Sequence, residues 1–453
     1  MNWMDKHFLV FGTGKSGIAS ADLLQRHHIS TVVYDSNHEL DVEAVKQREP
    51  ALKNIEFLTG DFPKERIHEF DIVVVSPGIP TDLPILQLFR DFGIVVWGEI
   101  ELAYRFSKGK ILAVTGTNGK TTTTALLGAI LKTHFPDVMI VGNIGIPYTS
   151  MCDKTTPDTV TAVEISSFQL ETVIDFKPNV SALLNITPDH LDRHHTMEGY
   201  IQAKERVTMN QSKQDLCVLN YEDEILRDMA MRVKPKIWYF SSERKLEEGM
   251  YLDGKIIKIK RQGIEDELCH VDDLQILGKH NVENAMAAAS MALGIGVPVA
   301  VIRDVLKRFE SVEHRIEFVK EVNEVRYYND SKGTNPDAAI KGIQAMTRPT
   351  ILIGGGYDKN SEYTEWILAF AGKVKKLILI GQTRYKIAEV AQKEGFTSII
   401  MADSLEEAVE MSFQEADKGD AVLLSPACAS WGMFTNYEER GNRFKELVHR
   451  LKE

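Results

Sequence analysis

The stretch Ile111–Thr124, ILAVTGTNGKTTTT, constrains this chain more than any other. An apolar run of β type ends in a turn punctuated by Gly116 and Gly119, and Lys120 with four threonines then opens a helix. That order gathers backbone N–H groups and a helix N-terminus around a phosphate chain, with Lys120 as a point charge and Thr121 available to Mg²⁺. The spacing is shorter than the standard phosphate loop, because Val114 stands where its first glycine would fall. Taken alone, Gly116-x-x-Gly119-Lys120-Thr121 also reads as an ordinary strand-to-helix turn.

Upstream, residues 7–96 alternate short apolar runs (HFLVFG, TVVYD, DIVVVSPGIP, GIVVW) with helical segments, which predicts a small, mostly parallel α/β sheet. Gly12-x-Gly14-x-x-Gly17 follows the first run and Asp35 ends the second, the arrangement of a dinucleotide fingerprint and equally of a plain tight β–α turn. Ser76-Pro77-Gly78 closes a later strand at the same expected edge, where open α/β sheets bind ligands. A nicotinamide, a flavin or a nucleotide-sugar each fits these residues.

Downstream, EIELAYRFS reads as helix, and VMIVGNIGIP, TVTAVEISSFQL and NVSALLNITPDHLDRH read as strands ending in polar residues. Asn143, Glu164 and His190 are therefore expected at the rim of the phosphate loop, where phosphoryl transfer needs metal ligands. Glu164 is a good oxygen ligand and His190 a candidate second one, although each also reads as a solvated strand end or turn. The helical stretch Thr196–Asn210 puts Tyr200, Ala203 and Val207 on one face, with Lys204 beside it as a solvated or snorkelling lysine. The strands DLCVLN and KIWYFS and the hairpin-like YLDGKIIKIK follow. GKHN then enters an Ala/Met-rich helix whose Asn281 and Asn284 share a face. After a helix over Ile302–Val312, a third α/β unit carries Asp330, Lys332 and Thr334 past its first strand. Lys359 follows a triple glycine and Ser430 follows the last strand; singly, each reads as a solvated loop residue.

A chain of 453 residues is too long for one core and implies two to four domains. Its net charge of −12 argues against nucleic acid or an anionic membrane as the main partner. Cys152, Cys217, Cys269 and Cys428 are scattered, which indicates reduced thiols in a cytosolic setting rather than a zinc site or disulfide framework. The run Phe8–Phe11 meets a glycine at once, so it is a first strand and not a signal peptide. No stretch approaches the roughly 20 apolar residues of a membrane span, and a cytoplasmic location without membrane insertion is expected.

Taken together and in order, GTNGKTT, GNIG, EISSFQL, NITPDHLDRH, GKHNVENA, HRIE, NDSKGTNP and SPACASWGMF resemble the Mur ligase family over the full length. The similarity is greatest to members that add D-glutamate to UDP-N-acetylmuramoyl-L-alanine. The resemblance implies an α/β protein of three domains. These are an N-terminal Rossmann-like domain (1–98) for the UDP substrate, a central P-loop-type ATPase domain with a mostly parallel sheet (99–311), and a C-terminal Rossmann-like α/β domain (312–453) for the amino acid. It implies ATP-driven, ADP-forming amide formation through an acyl phosphate in peptidoglycan precursor synthesis, by a monomer.

The resemblance also implies residue roles. Gly116, Thr117, Asn118, Gly119, Lys120, Thr121 and Thr122 would hold the ATP phosphates, with Thr121 and Glu164 on one Mg²⁺. His190 and a carbamate on Lys204 would serve a second Mg²⁺, and Lys120, Glu164, His190 and Lys204 form the catalytic set. Asn281 and Asn284 would meet adenine, with Arg315 and Asp330 also on ATP. Gly14, Lys15, Ser16, Asp35, Ser76, Gly78, Asn143 and His190 would hold the UDP substrate, and Thr334, Lys359, Ser430 and Tyr437 the D-glutamate. Tyr437 departs from an expected phenylalanine, Lys15 and Ser16 stand in a variable turn, and GGYDKNSE differs from other versions of its loop. An NAD-dependent oxidoreductase leaves the GTNGKTT loop and the Glu164/His190 rim unexplained, and a non-catalytic nucleotide sensor has no use for Lys359 and Ser430. A folylpolyglutamate-synthase-like enzyme has no role for the first domain.

Overall fold

Three sheets of short apolar strands organise the computed structural model, which describes residues 3–143, 145–310 and 312–452. Ile144 of the GNIG motif and Ser311 at the expected second boundary lie outside the described residues. The chain divides into two compact units, Met1–Cys269 with Asn284–Val305, and His270–Glu283 with Leu306–Glu453.

The first unit holds two sheets. One contains β1 (Phe8–Phe11), β2 (Thr31–Asp35), β3 (Glu56–Thr59), β4 (Ile72–Val75) and β5 (Val95–Gly98), all parallel in the order β3-β2-β1-β4-β5. Every residue of β1 and β4 is buried, the mark of central strands covered on both faces. Strand order reverses beside β1, so the crevice at the ends of β1 and β4 is a topological switch point. Gly12 and Ser76 follow those two strands. Gly12 takes φ +103, and a Cβ on Gly17 would run into the Gly12 carbonyl oxygen, so the helix Lys15–Arg26 approaches the turn as no larger residue would allow.

The second sheet contains β6 (Lys110–Thr115), β7 (Val138–Gly142), β8 (Val160–Glu164), β9 (Val180–Leu183), β10 (Leu216–Asn220), β11 (Lys236–Ser241), β12 (Gly249–Asp253), β13 (Ile256–Arg261) and β14 (Ile264–His270). Its order is β14-β13-β12-β11-β10-β9-β6-β8-β7, and β6 lies parallel between β8 and β9. The hairpin expected in YLDGKIIKIK is the antiparallel pair β12–β13. One core runs beneath both sheets, from Phe8, Val10 and Trp97 to Ile111, Ala113 and Leu183.

The second unit carries β15 (Glu317–Val322), β16 (Val325–Asn329), β17 (Thr350–Gly355), β18 (Val374–Ile380), β19 (Ile399–Met401) and β20 (Ala421–Leu424), ordered β15-β16-β20-β17-β18-β19. Five strands are parallel and the edge strand β15 is antiparallel to β16. Alternation sorts its apolar residues to two faces. Leu352, Leu377 and Leu379 enter one core, while Ile351, Ile353, Ile378 and Ile380 enter the other. No helix among the described residues is long and apolar enough to cross a membrane.

A buried carboxylate secures the helix Glu99–Phe106 between the first two sheets. Glu101 is 0% exposed and accepts from the backbone N–H groups of Ile174 (2.8 Å), Asp175 (3.0 Å) and Phe176 (3.0 Å), and from Arg105 Nη2 (2.7 Å). Glu101→Ala leaves three backbone donors, that of Phe176 buried, and a guanidinium without their acceptor. It is expected to destabilise the first unit by about 3–5 kcal/mol, read as a lowered urea midpoint at unchanged slope.

Candidate active site

The residues after β6 leave the sheet in a glycine turn that other elements hold from outside. Gly116 takes φ +145 and Gly119 φ +86, and the helix Lys120–His134 starts directly after it. A Cβ on Gly119 would also run into Oδ1 of Asn284, which accepts from Thr123 Oγ1 at 3.2 Å. Asn185, just past β9, accepts the Thr117 N–H on its carbonyl (2.9 Å) and the Asn118 N–H on Oδ1 (2.8 Å), while its Nδ2 donates to Asn118 O (3.2 Å). Thr117 Oγ1 lies 3.1 Å from the Tyr200 hydroxyl and accepts from Thr187 N at 3.0 Å. Thus the loop's shape is set by the exit of β9 and by Tyr200, neither of which its own spacing reveals.

Lys120 Nζ donates to Gly116 O and Thr117 O, both at 2.9 Å. Lys204 Nζ donates to the same Gly116 O at 2.9 Å and stands 4.6 Å from the Tyr200 ring centre. The solvated lysine expected at 204 is instead 1% exposed. Burial, with Lys120 adding repulsion, holds its amine well below the ordinary lysine range, and Asp189 offsets this in part.

Glu164 ends β8 opposite Val114 of β6 and Gly142 of β7, and is 2% exposed. Asn143 bonds it twice, through its N–H to Glu164 O (2.9 Å) and its Nδ2 to Oε1 (3.0 Å). His190 lies farther from its strand than expected, seven residues past β9. It is a half-exposed residue in the left-handed region (φ 52) at the start of the short helix Leu191–His194. Among the described residues no group of three or more His, Cys, Asp or Glu side chains could hold a metal. The expected set draws only Glu164 and His190 from those types, its remaining oxygens coming from Thr121 and a modified Lys204. Hard oxygen donors around a phosphate loop match Mg²⁺.

At the switch point of the first sheet, Gly14 caps the helix that begins Lys15-Ser16, and Ser16 O accepts from Ser20 Oγ at 2.7 Å. Asp35 is drawn into the turn, its Oδ2 accepting from Thr13 N (2.9 Å) and Thr13 Oγ1 (2.6 Å). Ser76 Oγ reaches Gly12 O at 3.4 Å, and Gly78 has open space where a side chain would be.

Within the second unit, the expected residues cluster at the C-terminal edge of the third sheet. Asp330 follows β16, is buried, and accepts from Ser425 Oγ at 2.7 Å; burial above all pushes its carboxyl up to about 7, against the pull of that bond and of Arg315. Thr334 N donates to Lys332 O (2.8 Å), and the Lys332 ammonium stands 3.7 Å from the Tyr437 ring centre. Lys359 lies 5.3 Å from the Trp431 ring, and the buried Ser430 accepts from Phe434 N at 3.0 Å. Asn281 Nδ2 donates to Leu277 O at 2.7 Å. No sequence signal marked Arg440, which is 1% exposed. Its guanidinium donates to Ser331 Oγ (2.9 Å), Ser331 O (2.8 Å) and Cys428 O (3.2 Å), joining the loops that carry Asp330 and Ser430.

Three family models match the chain in succession: the Mur ligase MurD-like N-terminal domain over residues 6–98, the Mur ligase middle domain over 114–292, and the Mur ligase glutamate ligase domain over 314–428. The UDP-N-acetylmuramoylalanine–D-glutamate ligase of Lachnoclostridium phytofermentans is 52% identical over 453 residues, covering 100% of both chains. The protein of the same name from Lachnospira eligens is 52% identical over 451 residues, again covering 100% of both. Among solved structures, the UDP-N-acetylmuramate-alanine ligase MurC of Thermotoga maritima superposes with TM-score 0.62 at 19% identity, covering 99% of this chain and 100% of its own. The MurF ligase of that organism, in complex with ADP, gives TM-score 0.59 at 15% identity over 100% of both. At such identities these two similarities concern the fold.

The Lys204 amine gives a pH test. Its folded pKa is lowered, so between that value and the unfolded one near 10.4 the unfolded chain binds more protons and stability rises with pH. In CO₂-free buffer, Lys204→Met is expected to be more stable than wild type by about 1–3 kcal/mol at pH 7, an advantage that shrinks toward pH 10 in urea unfolding.

Proposed function

The chain belongs to the Mur ligase family, and from that premise we infer that it is an ATP-dependent ligase that adds D-glutamate to UDP-N-acetylmuramoyl-L-alanine in peptidoglycan synthesis. The observation that carries this reading is the full-length identity to relatives bearing that ligase name. The three-domain division at 98/99 and 311/312, a cytoplasmic location and a monomeric state go with it.

In this reading the substrate carboxylate attacks the γ-phosphorus of ATP, forming the acyl phosphate and expelling ADP. The D-glutamate amine then attacks the acyl carbon, and the tetrahedral intermediate releases phosphate as the amide forms. Both partners of the first step are anionic, so the site must offset their repulsion and hold them in line. Lys120 supports this role, because its ammonium now rests on Gly116 O and Thr117 O, neutral acceptors that a phosphate oxygen outcompetes. The N-terminus of the helix that starts at Lys120 favours the same anion through its dipole.

Thr121 and Glu164 would hold one Mg²⁺ and His190 and Lys204 a second, and the metal would supply positive charge against the phosphate anion. Asn143 keeps one Glu164 oxygen engaged and thereby sets the carboxylate's direction. The lowered pKa of the Lys204 amine suits carbamate formation: nitrogen bonds to the carbon of CO₂, a proton leaves to solvent, and a buried amine becomes an anionic oxygen donor. Asn281 and Asn284 would meet adenine, and Arg315 and Asp330 the phosphates. Gly14, Lys15, Ser16, Asp35, Ser76 and Gly78 would hold the UDP moiety, and Thr334, Lys359, Ser430 and Tyr437 the D-glutamate, whose side-chain carboxylate suits Lys359.

Phosphate release from ATP and Mg²⁺ with UDP-N-acetylmuramoyl-L-alanine is expected with D-glutamate. Turnover with L-alanine, L-lysine or diaminopimelate in its place would overturn the assignment. Lys120→Ala is expected to lower kcat by about 10²–10³-fold. With carbon-13 bicarbonate, wild type should show a carbamate resonance that Lys204→Ala lacks; identical spectra would remove the carbamate.

A further inference from the structure

His190 needs an external hold, because its backbone is in the left-handed region and its side chain is half exposed. Asp189 Oδ2, on the same loop and itself partly exposed, lies 3.5 Å from its Nε2. The firmer neighbour is Phe168, whose ring centre is 4.8 Å away at an interplanar angle of 62°. Phe168 stands four residues after Glu164, in the short helix Ser167–Leu170. A reciprocal capping pair fixes that helix, with Ser166 Oγ accepting from Gln169 N (3.3 Å) and Gln169 Oε1 from Ser166 N (2.9 Å). The ring that meets His190 is therefore tied to the strand that presents Glu164.

The same ring carries a second load. The Arg193 guanidinium lies 5.0 Å from its centre, three residues beyond His190 on the helix Leu191–His194. Arg193 is 11% exposed and Glu171 13%. Nη2 donates to Glu171 Oε2 at 2.7 Å and to Ile79 O at 2.8 Å, and Thr81 Oγ1 donates to that Glu171 oxygen at 3.0 Å. Ile79 closes the Ser76–Gly78 turn through its N–H to Ser76 O at 3.0 Å. One planar fork thus joins the turn at the switch point of the first sheet to the helix that follows His190.

We propose that Phe168 and Arg193 are positioning residues: Phe168 sets the His190 ring relative to Glu164, and Arg193 locks the His190 loop to the Ser76–Ile79 turn. This rests on the ligase reading, in which His190 and that turn serve the reaction. Lysine cannot replace Arg193, because a single ammonium does not reproduce a planar group that stacks on a ring and bonds two acceptors.

The test pairs kinetics with carbon-13 histidine NMR of the full chain, the His190 signal being assigned by its loss in His190→Gln. Phe168→Leu is expected to move that signal toward its random-coil position. It should lower kcat by about 10–100-fold, with KM for the UDP substrate within about twofold of wild type. Phe168→Tyr, which keeps the ring, should restore both signal and rate. Arg193→Lys should raise KM for the UDP substrate by about tenfold while leaving KM for D-glutamate unchanged. A His190 signal unmoved by Phe168→Leu, or an Arg193→Lys variant that loses melting temperature without the KM split, overturns the proposal. Absence of wild-type turnover with D-glutamate would instead overturn the ligase reading, and the NMR arm would still decide whether Phe168 holds His190. Should Leu at 168 unfold the protein, Phe168→Met carries the same comparison.

Discussion

Two lysine side chains meet at one backbone oxygen, Gly116 O, and much of the first unit serves that meeting. Two lysine amines at hydrogen-bond distance from one carbonyl disfavour each other's charged form in a dry site. Lys204 is 1% exposed, and burial together with Lys120 holds its pKa well below the ordinary lysine range. The arrangement leaves Lys120 bonded to two turn carbonyls and Lys204 buried against one of them. It also explains why Tyr200 sits where it does, its hydroxyl on Thr117 and its ring under the Lys204 amine.

The second unit solves a related problem with a different residue. Two loops leave the ends of β16 and β20, and a single buried guanidinium spans them. Arg440 is bound by a hydroxyl and two carbonyls, and its own charge is strained by burial, its pKa falling to about 10. Asp330 nearby is strained in the opposite sense, toward the neutral acid. Neither group finds a full counter-charge at hydrogen-bond distance among the described residues, so the loops are held by directional bonds more than by ion pairing.

Much of the α/β pattern was legible because central parallel strands are continuous apolar runs between glycine turns, as in β1, β4, β6, β8 and β20. The strands that escaped notice lie at sheet edges. β3 reads EFLT with exposed ends, and β15 reads EFVKEV with a register shift after Phe318, so neither presents a hydrophobic face long enough to count. The turn after β6 announced itself through glycines whose positive φ values it requires. Lys204 did not, since helical spacing shows which face a residue shares and not how deep that face lies. His190 was placed too near its strand, because the six intervening residues look like a short turn in sequence.

What the sequence by itself determined was the kind of sheets, the glycine turns at their ends and, through ordered motifs, the family. Those depend on local periodicity and on backbone conformations that few residue types allow. Only the tertiary structure decided which charges are paired, buried or neutral: Asp35 drawn onto Thr13, Glu164 oriented by Asn143, Arg193 bridging to Ile79, Arg440 spanning two loops. Desolvation and hydrogen-bond geometry depend on residues brought together across more than a hundred positions, as Arg193 and Ile79 are, and local pattern carries no record of them.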